Sequence, residues 1–452
     1  MNDQYPVTRR QFVARTAAGL AGAGWLGMHR LQPSAAAEPA RPIKIAAVIT
    51  EFTHRSHAHV ILENFLTPYL FNGQVTQPGM QVASMYVDQI GAGDMARGVS
   101  QQFDIPIHPT IDKALCLGGD ALAVDAVLSI GEHGSYPVNE KGQMQYPRKE
   151  FFDQVVAVFR RSGRVAPVFS DKHLSYRWDW AKEMSDTAQA MHFPLMAGSS
   201  VPLAQRRPPL ELPGDSKIER AVSIHGGGVE SYDFHALEVL QSLVEARRGG
   251  ETGVAGLQFL TTDALWKAAA EDQWSVELAA AAMTAELGAD HDLTKHVASR
   301  GKHAPETPTH GILLRYRDGL NAIALKVGDS ATRWNFACQI AGEEAPRATS
   351  FYVGPWDNRN LFKALSHAIQ THFRQRKAPY PVERTLLVSG VLDAAMDSRI
   401  AGGKPLETPW LDVAYQPQDF RAMREMGASW KIITEDTPQH EGIKPVGIAQ
   451  AS

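Results

Sequence analysis

VFSDKHLS, residues 168–175, is the end of an apolar strand that breaks into three consecutive ionisable side chains, Asp171, Lys172 and His173. Val165–Phe169 has the length and composition of a buried strand, and a helical pattern, WDWAKEMSDTAQAMH, follows it. The same order recurs upstream. IKIAAVIT (43–50) leads through EFTHRSH into a helical period over 56–70, VASMYVDQ (82–89) ends in Asp88, and AVDAVLSIGEHG (123–134) precedes the amphipathic PRKEFFDQVVAVFRRSG (147–163). FPLMAGSS closes the series. Strands alternating with helices of this length predict a parallel sheet in a doubly wound, Rossmann-like α/β domain, whose sites lie at the carboxyl ends of strands. ITEFTHRSH, SIGEHGSYP and VFSDKHLS are three such ends.

Beyond QRRPPLELPGD (205–215), read as an inter-domain crossing, the pattern changes. IERAVSIHGG, GVAGLQFLTT, THGILLRYRDG, LNAIALKVG, WNFACQIA and ATSFYVGP read as strands, several at hairpin spacing, with helical segments at 230–248 and 275–288. That predicts a C-terminal α+β domain on a mostly antiparallel sheet. Two further helices and a polar tail end the chain. The expected division is 1–37 targeting segment, 38–204 Rossmann-like domain, and 205–452 α+β domain.

The targeting segment reads TRRQFVARTAAGLAGAGWLGM, with Arg9, Arg10 and Phe12 in the twin-arginine (Tat) pattern and a cleavage signal at Ala35-Ala36-Ala37. Export to a periplasm follows as an expectation, with no membrane attachment after cleavage, since no other segment reads as a span. With 45 basic against 49 acidic residues there is no basic excess for nucleic acid. Cys116 and Cys338 form no C-x-x-C, so neither a disulfide framework nor a thiolate zinc site is indicated.

Three segments together resemble the Gfo/Idh/MocA oxidoreductase family. VFSDKHLS resembles its E-K-P segment after the fifth strand, with Asp171 for Glu and His173 for Pro. GGGVESYDFHALEVL (226–240) resembles its glycine-led helix, placing His235 and Glu238 at the catalytic His and the acid three residues on. ERTLLVSGVLDAAMDSRIAGGKPLETPW resembles its C-terminal helix, which returns to the first domain. The resemblance implies an NAD(P)-dependent enzyme acting on a sugar or other polyol. Lys172 would contact a substrate hydroxyl and the nicotinamide, and His235 would move a hydroxyl proton, work that suits a His near neutrality and a Lys in a partly dry cleft. Asp171 and His173 flank that Lys as catalytic candidates. Thr50, Glu51, Asp88, Glu132 and His133 stand at strand ends where a dinucleotide would lie. Tyr136, Asn139, Asp233 and Glu238 are the substrate-binding candidates, and a homo-oligomer is expected.

The turn after the first strand departs from the family. It should be G-x-G-x-x-G, but TEFTHRSHAH has no glycine from Thr50 to His59, and Phe52, His54 and Arg55 should obstruct a pyrophosphate. GAGDMA (91–96) follows the second strand and is set aside. The position of the family's Asp four residues before the His is Ser231, for which Asp233 or Glu230 could substitute. In place of glycines stand Glu51, His54 and His57, which with Glu132 and His133 form a His/carboxylate set of the kind that binds zinc or manganese, though without tight ligand spacing. For His57 the alternative is a helix N-terminal position beside the N-cap Ser56. The 136–148 loop reads equally as a pocket wall or a solvated loop, and Ser175 as the cap of the following helix.

Three readings stay open: an oxidoreductase with an atypically held NAD(P), a dinucleotide-independent lyase, isomerase or hydrolase of carbohydrates, and a carbohydrate-binding protein without catalysis.

Overall fold

The computed structural model describes residues 41–289, 291, 293, 309–440, 442 and 443; the twin-arginine segment lies outside them. Both sheets belong to the unit that begins at Pro42.

The first half runs β1 (Ile43–Glu51), α1 (His57–Leu66), a hairpin of β2 (Tyr69–Phe71) and β3 (Gln74–Thr76), β4 (Met80–Gln89), α2 (Ala96–Phe103), α3 (Ile111–Leu115), β5 (Ala126–Ile130), α4 (Arg148–Ser162), β6 (Val168–Asp171), α5 (Trp178–Ala190) and β7 (Leu195–Gly198). β4, β1, β5, β6 and β7 form a parallel sheet in that order. β1 is buried on both faces: Ala46 and Val48 pack toward α3, α4 and α5, while Ile45, Ala47 and Ile49 pack toward α1 and α2. That two-sided burial is why its sequence is a continuous apolar run.

The second half runs β8 (Gln205–Arg207), β9 (Ile218–His225), α6 (Ser231–Val244), β10 (Val254–Thr261), α7 (Thr262–Ala270), α8 (Val276–Leu287), β11 (His310–Tyr316), β12 (Asn321–Lys326), β13 (Trp334–Ile340), β14 (Arg347–Tyr352), α9 (Asn358–Gln375), α10 (Val382–Ile400) and β15 (Leu406–Glu407). Its eight-stranded sheet has the order β15-β10-β11-β12-β9-β13-β14-β8, antiparallel except for β12 on β9. Helix α10 packs on α5 and β7 as well as on α6 and β10, so it ties the two sheets together.

Several expectations change. The 56–70 helix stops at Leu66, and Asn72-Gly73, both at positive φ, turn a two-residue hairpin that follows it. The strand in VFSDKHLS starts at Val168, after Pro167, which has no N–H for the ladder. It is the fourth strand of its sheet in chain order, not the fifth. The proline-rich crossing begins as an edge strand, β8, paired to β14. Helix α7 was not anticipated. It follows β10 without a Gly or Pro, the turn being made by Thr262 at φ +45°. Ser175 does not cap α5; its hydroxyl accepts from Arg177 N, while Trp178 N donates to Asp393 of α10.

Candidate functional site

Charged and polar side chains from the ends of β5, β6 and β7 and from helices α1, α4 and α6 meet between the two sheets. Lys172 follows β6 in a left-handed conformation, φ +68°, a state uncommon for a residue with a Cβ. It turns the chain out of the strand, and its Nζ lies 2.8 Å from Nε2 of His235 on α6. An ammonium can only donate, so Nε2 accepts and the ring proton sits on Nδ1, 2.6 Å from Ser199 Oγ. Burial, then the Lys172 charge, holds the imidazole well below its ordinary pKa, so it is neutral. Lys172 is 6% and His235 8% exposed, so both members of the pair are buried.

Glu132, after β5, lies 3.6 Å from Lys172 Nζ and is bonded by Arg148 of α4. Burial raises its pKa, but Lys172 and Arg148 outweigh this and bring it to about 2. Arg148 also donates to His173 Nε2 at 3.1 Å, and Glu230 stands 3.7 Å from the same nitrogen. Burial and the Arg148 charge keep His173 neutral, and burial lifts Glu230 to about 7. Asp171 accepts from His57 Nδ1 at 2.6 Å, and the His57 ring lies edge-on to His133 at 5.1 Å. His133 is held down to about 4, chiefly by burial. Lys172, His235, Asp171, His173, Glu132, His133 and His57 therefore stand together. Arg148, from the end of the 136–148 loop, and Ser199, from the FPLMAGSS end, join them.

Other candidates fall elsewhere. Asp233 is fully buried and its oxygens are taken up by the fold: one takes His225 Nε2 (3.0 Å) and His310 Nε2 (2.9 Å), the other the Glu230 N–H (2.8 Å). Glu238 is 1% exposed and bonded to Thr385 Oγ1 (2.8 Å), so it fastens α6 to α10 and does not face a substrate. A side chain at Gly198 (φ +130°) would strike both Thr385 and Glu238, which is why this junction takes glycine. Asn139 closes its own turn, accepting from Lys141 N and Gln143 N. The loop around it is pinned by Lys141 on Asp393 and Asp397, so it is not a free loop.

Glu238 is also pushed by burial to about 7. Its folded pKa lies above the unfolded value, so the folded protein holds the extra proton and loses stability as pH rises from about 4.5 through 7. In urea unfolding from pH 5 to pH 8, Glu238→Gln should lose less than the parent protein, the difference reaching about 3 kcal/mol. Parallel pH profiles for the two proteins would contradict this.

The expected metal set is not assembled. His54 is exposed, with its ring tilted at 42° to that of His59 and 5.0 Å from it, and Glu51 ends β1 beside Gln89. Among the described residues, His225, Asp233 and His310 are the group whose ligand-type atoms all lie within 4.8 Å. There the His225 Nδ1 accepts from Gly227 N, so its proton is on the Nε2 that faces Asp233. That nitrogen is a donor to the carboxylate, and the group is an anchor for the start of α6.

No protein-family model and no curated protein sequence matches the chain. Solved structures do match it. GenD2 from gentamicin A biosynthesis, in complex with NAD, is 12% identical, covering 86% of this chain and 99% of its own, with a TM-score of 0.52. Myo-inositol dehydrogenase from Lactobacillus casei, in complex with NAD(H) and myo-inositol, is 14% identical, covering 84% and 100%, with a TM-score of 0.53. The fold is the Gfo/Idh/MocA fold. At these identities the likeness speaks for architecture.

A dinucleotide in a Rossmann sheet crosses the carboxyl end of the first strand, with its pyrophosphate on the first helix N-terminus and a ribose on the acid ending the second strand. Three features here do not fit that placement. The strand order is β4-β1-β5, so the loop after β5 must pass over the end of β1 to reach β4. It does so: Ser135 exchanges two hydrogen bonds with Gln89 (2.8 and 2.9 Å), and Tyr136 donates to Asp88 (2.8 Å). Asp88 also takes the Tyr86 hydroxyl (2.7 Å), so both oxygens that would hold a ribose are engaged by phenols. At the helix, Arg55 is tied to Trp356 O and Asn358 (3.3 Å each), and Asn358 donates back to Arg55 O (3.0 Å). Phe52, expected to obstruct, is instead buried in the core behind the turn. Thr50 donates to Glu132 O (2.6 Å) and so holds the crossing loop.

Proposed function

We propose that the chain is an enzyme acting on a sugar or another polyhydroxylated small molecule by proton transfer at the Lys172–His235 pair, without a dinucleotide in the crevice just described. One observation carries this reading. Around the pair, four buried polar atoms have no partner among the described residues: His133 Nε2, Arg148 Nε, His173 Nδ1 and Glu230 Oε1. Buried donors and acceptors are nearly always paired, and a ligand rich in hydroxyls supplies both kinds of partner. A substrate hydroxyl that takes the place of the Lys172 ammonium at His235 Nε2 would pass its proton to that nitrogen, while the ammonium steadies the alkoxide and Ser199 Oγ accepts a hydrogen bond from the Nδ1–H that the ring keeps. The outcome class is a lyase, an isomerase or a hydrolase of a carbohydrate.

An oxidoreductase using NAD(P) is the second reading, favoured by the NAD-bound structures of the same fold. Calorimetric titration with NAD⁺, NADH, NADP⁺ and NADPH separates the two. We expect no saturable binding up to millimolar nucleotide, alongside turnover of a member of a sugar and polyol library. Tight nucleotide binding would hand the site to the oxidoreductase. For residues 1–37 we propose Tat export, tested by fractionating cells that carry Arg9→Lys, Arg10→Lys, which should keep the protein in the cytoplasm.

A further inference from the structure

A second polar site lies away from the Lys172–His235 pair. A cleft of about 510 Å³ opens between the β8–β9 crossing, the C-terminal half of α6 and the segment around residues 417–424. Arg206, Glu211, Ser242, Phe420, Arg421 and Arg424 are among its walls.

Two of its arginines are buried and short of partners. Arg424 is 1% exposed; its Nη2 meets Glu211, and its Nε and Nη1 have no partner among the described residues. Arg206 is 8% exposed; its Nη1 donates to Leu210 O (2.8 Å) and reaches Glu211 at 3.5 Å, and its Nε has no partner. The neighbouring cations are already balanced, Arg384 by Glu245 and Arg421 by Asp419. Two fixed guanidinium charges thus share a single carboxylate, Glu211, whose side chain is 44% exposed. Burial, then the Arg424 charge, lowers Arg206 to about 9. A buried charge without a full set of partners is costly, and a guanidinium fork is matched by an oxyanion. Phe420, with the Arg424 guanidinium 6.0 Å from its ring, gives the cleft an apolar wall.

We propose that Arg206 and Arg424 form a binding site for the oxyanion of a small organic ligand, with Glu211 standing in the position that the ligand's carboxylate, phosphate or sulfate takes. Glu211 is then a competitor, and its removal strengthens binding. A purely structural ion pair behaves in the opposite way, since removing Glu211 only destabilises the fold.

The test is calorimetric titration of the full chain with inorganic phosphate, sulfate and glucuronate, against chloride at matched ionic strength. Saturable binding of at least one anion is expected, and the preference separates a carboxylate from a phosphate or sulfate source. Glu211→Gln should tighten that binding ~10-fold, the effect of freeing one charge-assisted hydrogen bond. Arg424→Met in the Glu211→Gln background should abolish it, while Lys172→Met should leave it unchanged. No saturable binding to either the parent protein or Glu211→Gln overturns the proposal. So does an affinity that Glu211→Gln does not change, or one that Lys172→Met removes, which would place the anion at the other site. If Arg424→Met does not fold, the Glu211→Gln comparison decides alone.

Discussion

Replacing Lys172 with methionine is expected to lower kcat roughly 10²- to 10⁴-fold on whichever polyol the parent protein turns over, the range for loss of one proton-transfer group. The methionine keeps the volume and removes the charge that lies 2.8 Å from His235 and 3.6 Å from Glu132. His235→Gln should cost as much, and the double variant little more than either, because the two act as one unit. A second signature does not depend on turnover. With the Lys172 cation gone, one of the causes that hold the His235 imidazole down is removed, so its pKa, followed by NMR, should rise. The Glu132 carboxyl should rise from about 2 for the same reason. Unchanged kcat in both single variants would remove the pair from the chemistry. An unmoved His235 titration would contradict the contact itself.

The largest effect on stability should come from Asp233→Ala. The carboxylate is fully buried and receives His225, His310 and the Glu230 N–H, which also makes it part of the cap on α6. Its removal leaves buried donors unpaired and the helix start unfastened, a loss of about 3–5 kcal/mol by comparison with broken buried pairs. Asp233→Asn should cost less, since one oxygen acceptor remains. The effect has a pH window. Burial raises the carboxyl pKa, but His310 and His225 overcome this and hold it far below the unfolded value, near 4. Its contribution is complete above that value and fades as pH falls below it. Urea unfolding at pH 7 and pH 3 should show the gap between Asp233→Ala and the parent protein narrowing in acid. A gap below 1 kcal/mol at pH 7 would mean that α6 is held by its apolar face alone.

That two-part anchor bears on function, because His235 is two residues beyond Asp233. The same helix carries Glu238, which fastens it to α10 through Thr385. Lys172 is therefore met by a His whose helix is fixed at its start and one turn on.

Much was readable along the chain. The spacing of apolar runs in IKIAAVIT, VASMYVDQ and AVLSI is a local property of buried parallel strands, and it foretold a doubly wound sheet with polar strand ends. The antiparallel second sheet was likewise visible in its hairpin spacing. Lys172 and His235 were marked by resemblance, and nothing in their own neighbourhoods brings together residues 63 positions apart. What only the tertiary structure decided are the pairings that strand order creates. Asp88 looks like a ribose acid in its own strand; it becomes a phenol acceptor because β5 lies next to β1, and the loop after it crosses to β4. Asp233 stands in the sequence as a substitute for the family's acid before the His, yet His225 and His310, from two strands, enclose it. Arg55 is tied by residues some 300 positions later. Hydrophobic periodicity records which face of an element is buried. It does not record which element covers that face, and a buried polar group takes its partner, and so its chemistry, from there.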